Sequence, residues 1–270
     1  AVGKNALKYN TTGANNTALG FGALSANTTS TGNTAVGANA LDANVTGAQN
    51  VALGLEALGA NTTGSYNTAV GGYTLHDNTT TSSNVAVGDH ALHSNTGSSY
   101  LVAVGVNAAR LNTTGSNQVA IGYNAMTSNT TGAASVCIGY EAAKNQNCNY
   151  SVIIGDRAVG SGSLTGDHCT FIGHYAGYDA TTGTRNTSLG SNSANNITTA
   201  NDGTFIGYNA GGNVTTGVNT TIVGSYAMDS STVTNDENTV IGAYAGRNIT
   251  GGQNTIVGNW AATYVTPLTS

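Results

Sequence analysis

The chain has 270 residues, of which only 7% are charged, and its formal net charge at pH 7 is −5. It contains no cluster of Lys or Arg, so the composition excludes a basic surface that binds nucleic acid or anionic lipid. No apolar run reaches the ~20 residues that a transmembrane helix needs, and no membrane insertion is expected in this segment.

A glycine recurs at a spacing of 17 residues from one end of the chain to the other, with four steps that differ by one. The sixteen copies are Gly3, Gly20, Gly37, Gly54, Gly71, Gly88, Gly105, Gly122, Gly139, Gly155, Gly173, Gly190, Gly207, Gly224, Gly242 and Gly258. Positions in the repeat are counted from this glycine, which is position 0. A fixed short period is typical of a solenoid, whose coils bury apolar surface by stacking. We therefore expect one repeat domain over residues 1–262, with 263–270 as the end of the last coil or a linker.

The residues on either side of the glycine predict short strands. Position −1 is aliphatic in all sixteen repeats, as at Val36, which predicts an interior column. Position +3 is Ala in fourteen repeats, as at Ala40, which predicts close approach of neighbouring backbones. Small and β-branched residues before Gly37 favour a strand, and the residues after it suit a second one. A helix is disfavoured because its central glycine would cost about 1 kcal/mol relative to Ala.

Asparagine occupies two columns of the repeat. Position +7 is Asn in the first eight repeats, as at Asn44, and position −4 is Asn in eight repeats, as at Asn33. In a solenoid, residues at the same position lie roughly 4.8 Å apart, so their amides can bond in a ladder. Many of these residues begin Asn-Xaa-Thr sequons, but the predicted ladder makes glycosylation the less favoured role.

Side-chain size is exchanged between positions −2 and +4. Early repeats pair a small residue with a large one, as in Ala35 and Leu41, whereas Phe171 and Gly177 reverse the order. Conserved total volume predicts that the two positions touch. Positions −2 and −1 point to opposite faces of a strand, and both are apolar. We therefore expect an obligate oligomer in which the −2 and +4 pair packs toward a partner chain.

The stretch Asn33-Thr34-Ala35-Val36-Gly37-Ala38-Asn39-Ala40 resembles the head repeats of trimeric autotransporter adhesins, the YadA-like heads. Similar repeats occur in bacteriophage tail fibres. The resemblance covers nearly the whole chain, although the repeat here is a few residues longer in the turn that follows Asn61. It implies a left-handed parallel β-roll that forms a homotrimer and binds host surfaces. The predicted fold is thus an all-β parallel β-solenoid of sixteen two-stranded coils.

Enzymatic chemistry has little support in the sequence. Glu141 and Asp156 on adjacent coils are the best-placed carboxylate pair, but two solvated surface groups are the favoured interpretation. Consecutive threonines do not match the Thr-Xaa-Thr files of an ice-binding face. Cys137, Cys148 and Cys169 share no repeat position, so free thiols are expected, with Cys137 half buried. No catalytic residue is predicted.

Three histidines, whose side chains can bind metal ions, are expected to form a cluster. His76 and His93 share position +5 on adjacent coils, which would stack their imidazoles, and His90 is nearby. A metal site or a pH-sensing site is one interpretation. An exposed polar ladder is the favoured one, because other polar residues occupy this position elsewhere, and no cofactor or metal is predicted.

Aromatic residues give the strongest signal for recognition. The candidate ligand or partner contacts, mostly at positions +1 and +2, are Tyr123, Tyr140, Tyr175, Tyr178, Tyr208, Tyr226, Tyr244 and Trp260. Flat rings on a polar surface suit stacking on sugars or proteins. The alternative is an aromatic ladder that stiffens the coil edge or packs between chains.

The sequence predicts a structural and adhesive extracellular fibre segment, on a bacterial surface or a virion, that attaches to glycans or proteins of a host cell. The alternative is a self-assembling extracellular filament whose subunits join end to end. Because Ala1 lies within a repeat, the 270 residues are expected to be a segment of a longer fibre.

Overall fold

The computed structural model describes residues 1–230, 236–249 and 251–263. The chain forms two compact units, Ala1–Ala134 and Ser135–Ser270. Their described residues contain fifteen strands of three residues each and no helix. Each unit is a parallel β-solenoid with a repeat of about 17 residues, and paired strands lie in register, as Thr34 with Val51. The predicted fold class, an all-β parallel β-solenoid, is confirmed.

Each strand pairs in parallel with the next strand of its unit. In the first unit the strands are β1 (Thr17–Leu19), β2 (Thr34–Val36), β3 (Val51–Leu53), β4 (Thr68–Val70), β5 (Val85–Val87), β6 (Val102–Val104) and β7 (Val119–Ile121). In the second unit they are β8 (Val136–Ile138), β9 (Val152–Ile154), β10 (Thr170–Ile172), β11 (Thr187–Leu189), β12 (Thr204–Ile206), β13 (Thr221–Val223), β14 (Thr239–Ile241) and β15 (Thr255–Val257). Before β1, Val2 forms an isolated parallel bridge with Leu19.

The repeat glycine ends each strand because no other residue fits there. The φ angle of Gly37 is +137°, a backbone conformation that side chains disfavour. A Cβ atom at Gly37 would lie 2.3 Å from the carbonyl oxygen of Gly54 on the next coil. The strict 17-residue recurrence of glycine is therefore a consequence of backbone stacking.

The segment after the glycine is a run of turns, so the prediction of two strands per coil is wrong in this respect. Positions +2 and +4 have positive φ angles, such as 54° at Asn39 and 51° at Leu41. Left-handed residues interrupt an extended chain. The backbone still bonds between coils, since the Leu41 N–H donates to the Ala57 carbonyl oxygen at 3.0 Å. A short coil must bend back on itself here, and alternating φ provides the bend.

Burial shows that the predicted faces of the strand are reversed. The middle strand residue, at position −2, points into the coil, and Ala35 is 0% exposed. Position −1 points outward, and Leu53 is 47% exposed. The prediction that position −1 is interior is therefore wrong. Both columns are apolar, so the pattern alone did not distinguish the inside from the outside.

The core of each coil is formed by positions −2, +3 and +4, represented by the buried residues Ala35, Ala40 and Leu41. The predicted contact between positions −2 and +4 is confirmed. A Cβ atom at Gly177 would lie 2.3 Å from the ring of Phe171, so the glycine makes room for the phenyl group. This pair is buried within its own unit, and the prediction that it faces a partner chain is wrong.

The asparagine columns form hydrogen-bonded ladders, as predicted. At position +7, Asn61 Nδ2 donates to Asn44 Oδ1 at 2.9 Å, and Asn78 Nδ2 donates to Asn61 Oδ1 at 3.0 Å. At position −4 the backbone takes part, because the Asn67 N–H donates to Asn50 Oδ1 at 2.9 Å. These amides are buried and bonded, as buried polar groups require. The Asn61 amide is therefore inaccessible to glycosylation in the folded coil.

All three cysteines are free and buried. Cys137 is fully buried, so the expectation of a half-buried side chain is wrong. Burial raises the pKa of Cys137 well above its usual value and raises the pKa of Cys148 to about 11. Thiolates are the reactive form of cysteine, so these thiols are chemically inert in the folded state.

Most of the predicted end or linker at 263–270 lies outside the described residues. Thr263 is described, and its hydroxyl donates to the Trp260 carbonyl oxygen at 2.7 Å. The described part of the chain contains no helix with the length and hydropathy needed to cross a lipid bilayer.

We predict that Phe171→Ala and Gly177→Leu will each destabilise the protein but will compensate each other. The first change leaves a cavity that costs about 3–5 kcal/mol. The second drives a side chain into the phenyl ring. Together they recreate the Ala35 and Leu41 pair, and Leu41 shows that leucine adopts the required φ. The double variant should melt above both single variants in thermal denaturation followed by circular dichroism. If the decreases in melting temperature of the two single variants simply add up in the double variant, the proposed contact between these positions is contradicted.

We predict that Asn61→Ala will lower the free energy of unfolding by about 1–3 kcal/mol, because it leaves buried ladder partners without hydrogen bonds. Thr63→Ala changes an exposed position of the same turn and should stay within about 0.5 kcal/mol of the wild type. Thermal melting of both variants would measure the difference. Equal losses in the two variants would mean that the ladder contributes no stability of its own.

Candidate functional site

The outward side of the strands forms an apolar surface, here called the outer strand face. It consists of positions −3 and −1, which hold only Thr, Val, Leu and Ile. The clearly exposed aliphatic members in the first unit are Val2, Leu19, Val51, Leu53, Val85 and Val87. Those in the second unit are Leu189, Ile241 and Val257. Because residues at one position stack between paired strands, each unit carries a continuous uncharged stripe.

Position +1 extends the apolar character of this side of the coil in the first unit. Phe21, Leu55 and Val106 occupy that position and are exposed. Soluble monomers rarely expose large contiguous apolar patches, and parallel strands are normally covered on both faces. The outer strand face is therefore unusual for a surface exposed to solvent.

Four of the predicted aromatic contacts stack in the second unit and are here called the aromatic ladder: Tyr208, Tyr226, Tyr244 and Trp260. The ring centroids of Tyr244 and Trp260 are 4.2 Å apart with an interplanar angle of 10°. Tyr226 lies 5.1 Å from Tyr244, also with parallel rings. Tyr208 meets Tyr226 edge to face at 5.1 Å. The two ends of the ladder, Tyr208 and Trp260, are about half exposed.

Local backbone conformation projects these rings from the coil. Tyr226, Tyr244 and Trp260 occupy position +2, where their φ angles are 56°, 55° and 57°. Repetition of the same left-handed residue on successive coils places the rings in register. A side-chain hydrogen bond with Tyr208 raises the pKa of Tyr226 above its usual value. The ladder thus presents flat apolar faces and neutral hydroxyl groups together.

Three other predicted aromatic residues gather around Arg157. The guanidinium carbon of Arg157 lies 5.0 Å from the ring centroid of Tyr140, and its Nη1 donates to Tyr175 Oη at 2.9 Å. Tyr175 meets Tyr178 edge to face at 4.8 Å. Arg157 thus contacts Tyr140 and Tyr175, and in the ladder Arg247 lies 5.9 Å from the ring centroid of Tyr244. Tyr123 belongs to the first unit and is exposed.

The candidate carboxylates are used in ion pairs. Glu141 accepts from Lys144 Nζ at 2.8 Å and from Arg157 Nε at 3.3 Å. Asp156 lies 3.3 Å from His174 Nε2. The contacts of Arg157 with Glu141 and of His174 with Asp156 link neighbouring coils, whereas Lys144 and Glu141 lie in the same coil.

Position −5 carries aromatic residues that the sequence analysis missed. Tyr66, Tyr100 and Tyr150 all lie there, and all are exposed. Their φ angles are positive, between 53° and 63°, so each side chain projects from a sharp turn. The signal was present in the sequence as a shared repeat position, but the positive φ that exposes the ring was visible only in the structure.

The histidines of the first unit form a stacked cluster, as predicted. The His76 and His93 rings are 5.2 Å apart with an interplanar angle of 13°, and His90 stacks on His93 at 5.3 Å. Tyr73 stacks on His90. Burial lowers the pKa of His93 below its usual value, although the charge of Asp77 opposes that shift.

An open cleft lies beside this cluster on the same unit. It has a volume of about 270 Å³ and is lined by Asn39, Asp42, Glu56, Gly59, Ala60 and His76. Burial raises the pKa of Asp42 above its usual value. Donor atoms of His76, Asp77 and His93 all lie within 4.8 Å of one another, which is compatible with binding one metal ion.

No family model matches the chain, and neither a search of curated proteins nor a search of solved structures finds a significant match.

Proposed function

We propose that this chain is a structural and adhesive segment of an extracellular fibre, carried by a bacterial cell surface or a virion. Its role is mechanical and non-enzymatic. It assembles as a homotrimer through the outer strand face and presents the aromatic ladder to glycans or proteins of a host cell. The observation that carries the proposal is the column of exposed and half-buried aliphatic side chains at position −1.

The outer strand face fits a second copy of the chain better than any other occupant. It lacks charge over its whole length, so it offers no complementarity to a charged partner. An identical stripe on another copy has the same coil spacing and the same apolar composition. Burying apolar surface stabilises by about 25 cal/mol per Å², and a stripe that repeats in every coil multiplies that gain. Three copies are proposed because the repeat motif resembles trimeric adhesin heads.

The aromatic ladder supplies the adhesive surface of the proposal. Tyr and Trp side chains combine a large apolar face with a polar group, which is why they dominate binding hot spots. Stacking holds Tyr244 against Trp260, so little conformational entropy remains to be lost when a ligand binds. The flat apolar rings and their neutral hydroxyl groups favour a ligand such as an oligosaccharide.

Charges placed on the outer strand face should dissociate the oligomer. We expect light scattering to give the mass of three chains for the wild type at all concentrations. The variant Leu53→Glu/Val87→Glu should give the mass of one chain, because buried unpaired carboxylates are strongly unfavourable. Thr63→Glu, in an exposed turn, is the matched control and should stay trimeric.

Two results would contradict the trimer. A wild-type mass that grows with concentration would favour the filament in which subunits join end to end. A stable wild-type monomer would mean that the outer strand face needs no partner copy.

Removal of ladder rings should weaken attachment without affecting assembly. We expect the wild-type protein to bind a subset of a glycan array. Trp260→Ala should bind those glycans at least about tenfold more weakly, since truncation of an aromatic hot spot costs about 2 kcal/mol or more. Tyr208→Ala tests the other end of the ladder.

Tyr100→Ala removes an exposed ring outside the ladder and serves as the control. Equal losses of glycan affinity in all three variants would contradict the ladder as the adhesive site.

A further inference from the structure

We propose that His76, Asp77 and His93 form a binding site for a divalent transition metal ion, with Zn²⁺ as the expected occupant. The site belongs to the first unit alone. It is independent of the proposed adhesive function.

The three side chains converge because the repeat places them on neighbouring coils. His76 and His93 occupy the same position, +5, and Asp77 follows His76 directly. Asp77 Oδ1 lies 2.7 Å from His76 Nδ1, and Asp77 Oδ2 lies 3.5 Å from His93 Nδ1. The carboxylate therefore stands between two imidazole nitrogens that face it from adjacent coils.

The spacing of the donor atoms suits a four-coordinate ion. Zn–N and Zn–O bonds are about 2.0–2.2 Å long, so ligand atoms in a tetrahedral site are roughly 3.3–3.6 Å apart. The three donors already lie within 4.8 Å of one another, and small side-chain rotations bring them to that separation. Three protein ligands leave a fourth position for water or a ligand. Two imidazoles with one carboxylate favour Zn²⁺, Cu²⁺ or Ni²⁺ over Mg²⁺ or Ca²⁺.

A second carboxylate lies beside one of the proposed ligands, where it could orient the imidazole ring. Glu56 Oε2 lies 3.4 Å from His76 Nε2, on the opposite side of the ring from Asp77. An Nε2–H that donates to Glu56 leaves the lone pair of Nδ1 directed at the metal position. Metal-binding histidines commonly make such a hydrogen bond, which fixes the tautomer and strengthens the ligand. Glu56 is therefore assigned as a positioning residue and not as a ligand.

The scaffold holds the ligands in place before a metal binds. The Asp77 N–H donates to the His93 carbonyl oxygen at 2.9 Å, so the backbones that carry the ligands are bonded to each other. The His93 ring stacks against both His76 and His90, which restricts its rotation. Such preorganisation reduces the entropic cost of metal binding.

The site is confined to two coils and has a negative surrounding charge. In the flanking coils position +5 holds Gly59 and Arg110, neither of which is a metal ligand of this type. Asp89, paired with His90 at 2.7 Å, adds a further carboxylate beside the cluster. One ion per chain is the expected stoichiometry.

Isothermal titration of the chelator-treated protein with ZnCl₂ tests the proposal. We expect one Zn²⁺ per chain, and we expect His76→Asn/His93→Asn to abolish saturable binding. Glu56→Gln should bind about tenfold more weakly, as loss of an orienting hydrogen bond does in other metal sites. His168→Asn removes a histidine from another repeat position and should bind as the wild type does. Circular dichroism verifies that each variant is folded.

Absence of saturable Zn²⁺ binding to the wild type would overturn the site, whatever the variants do. Equal binding by the wild type and His76→Asn/His93→Asn would place the ion elsewhere and also overturn it. Asp77→Asn retains both imidazoles and therefore tests the carboxylate where the double variant does not fold. Unchanged affinity in Asp77→Asn would rule out the three-ligand site. Visible absorption of bound Co²⁺ should show tetrahedral coordination in the wild type and in His168→Asn, but not in His76→Asn/His93→Asn or Asp77→Asn.

Discussion

The close stacking of backbone on backbone is the constraint on which the rest of this structure depends. The Thr34 N–H donates to the Asn50 carbonyl oxygen at 2.9 Å, and the Gly54 N–H donates to the Val36 carbonyl oxygen at 2.8 Å. These bonds hold neighbouring coils at the strand spacing, and at Gly37 the contact is too close for any side chain. All equivalent residues of a unit are thereby forced into columns. A residue type that stacks well on itself is favoured, and one that does not is excluded.

The interior shows two solutions to this requirement. In the first unit, position +7 is a column of asparagines, and from Asn27 to Asn95 each buried side-chain amide donates to the asparagine of the preceding coil. In the second unit the same position holds buried apolar residues such as Ile197 and Val214. A buried polar column is tolerated only when its members bond to one another, and identical amides at strand spacing meet that condition. The side chains at positions −2 and +4 must together fill a fixed volume. The large Phe171 therefore requires Gly177, and the small Ala35 leaves room for Leu41.

The same stacking brings side chains of one type together on the outer surface of the coil. Aliphatic side chains line up as the outer strand face, aromatic rings line up as the ladder, and two histidines line up beside Asp77. None of these features needs a dedicated loop, because repetition at one position is enough to create it. The proposed oligomer interface, the proposed adhesive surface and the proposed metal site thus share one structural origin.

The sequence alone determined the repeat, the strand before each glycine, the asparagine ladders and the contact between positions −2 and +4. Each of these follows from the period, because a fixed spacing dictates which residues become neighbours. It also placed His76 next to His93 and grouped Tyr226, Tyr244 and Trp260 at one position.

Only the tertiary structure decided which side of the strand is inside. Val36 and Ala35 are both apolar, so their residue types do not show which of them is buried. The positive φ angles at Asn39 and Leu41 bend the backbone so that Ala35 lies inside the coil. The sign of these angles cannot be read from residue type. For the same reason the second strand was wrongly predicted and the exposed rings at position −5 were missed. A period specifies neighbours along the stack, whereas the direction in which a side chain points depends on backbone angles that close each coil.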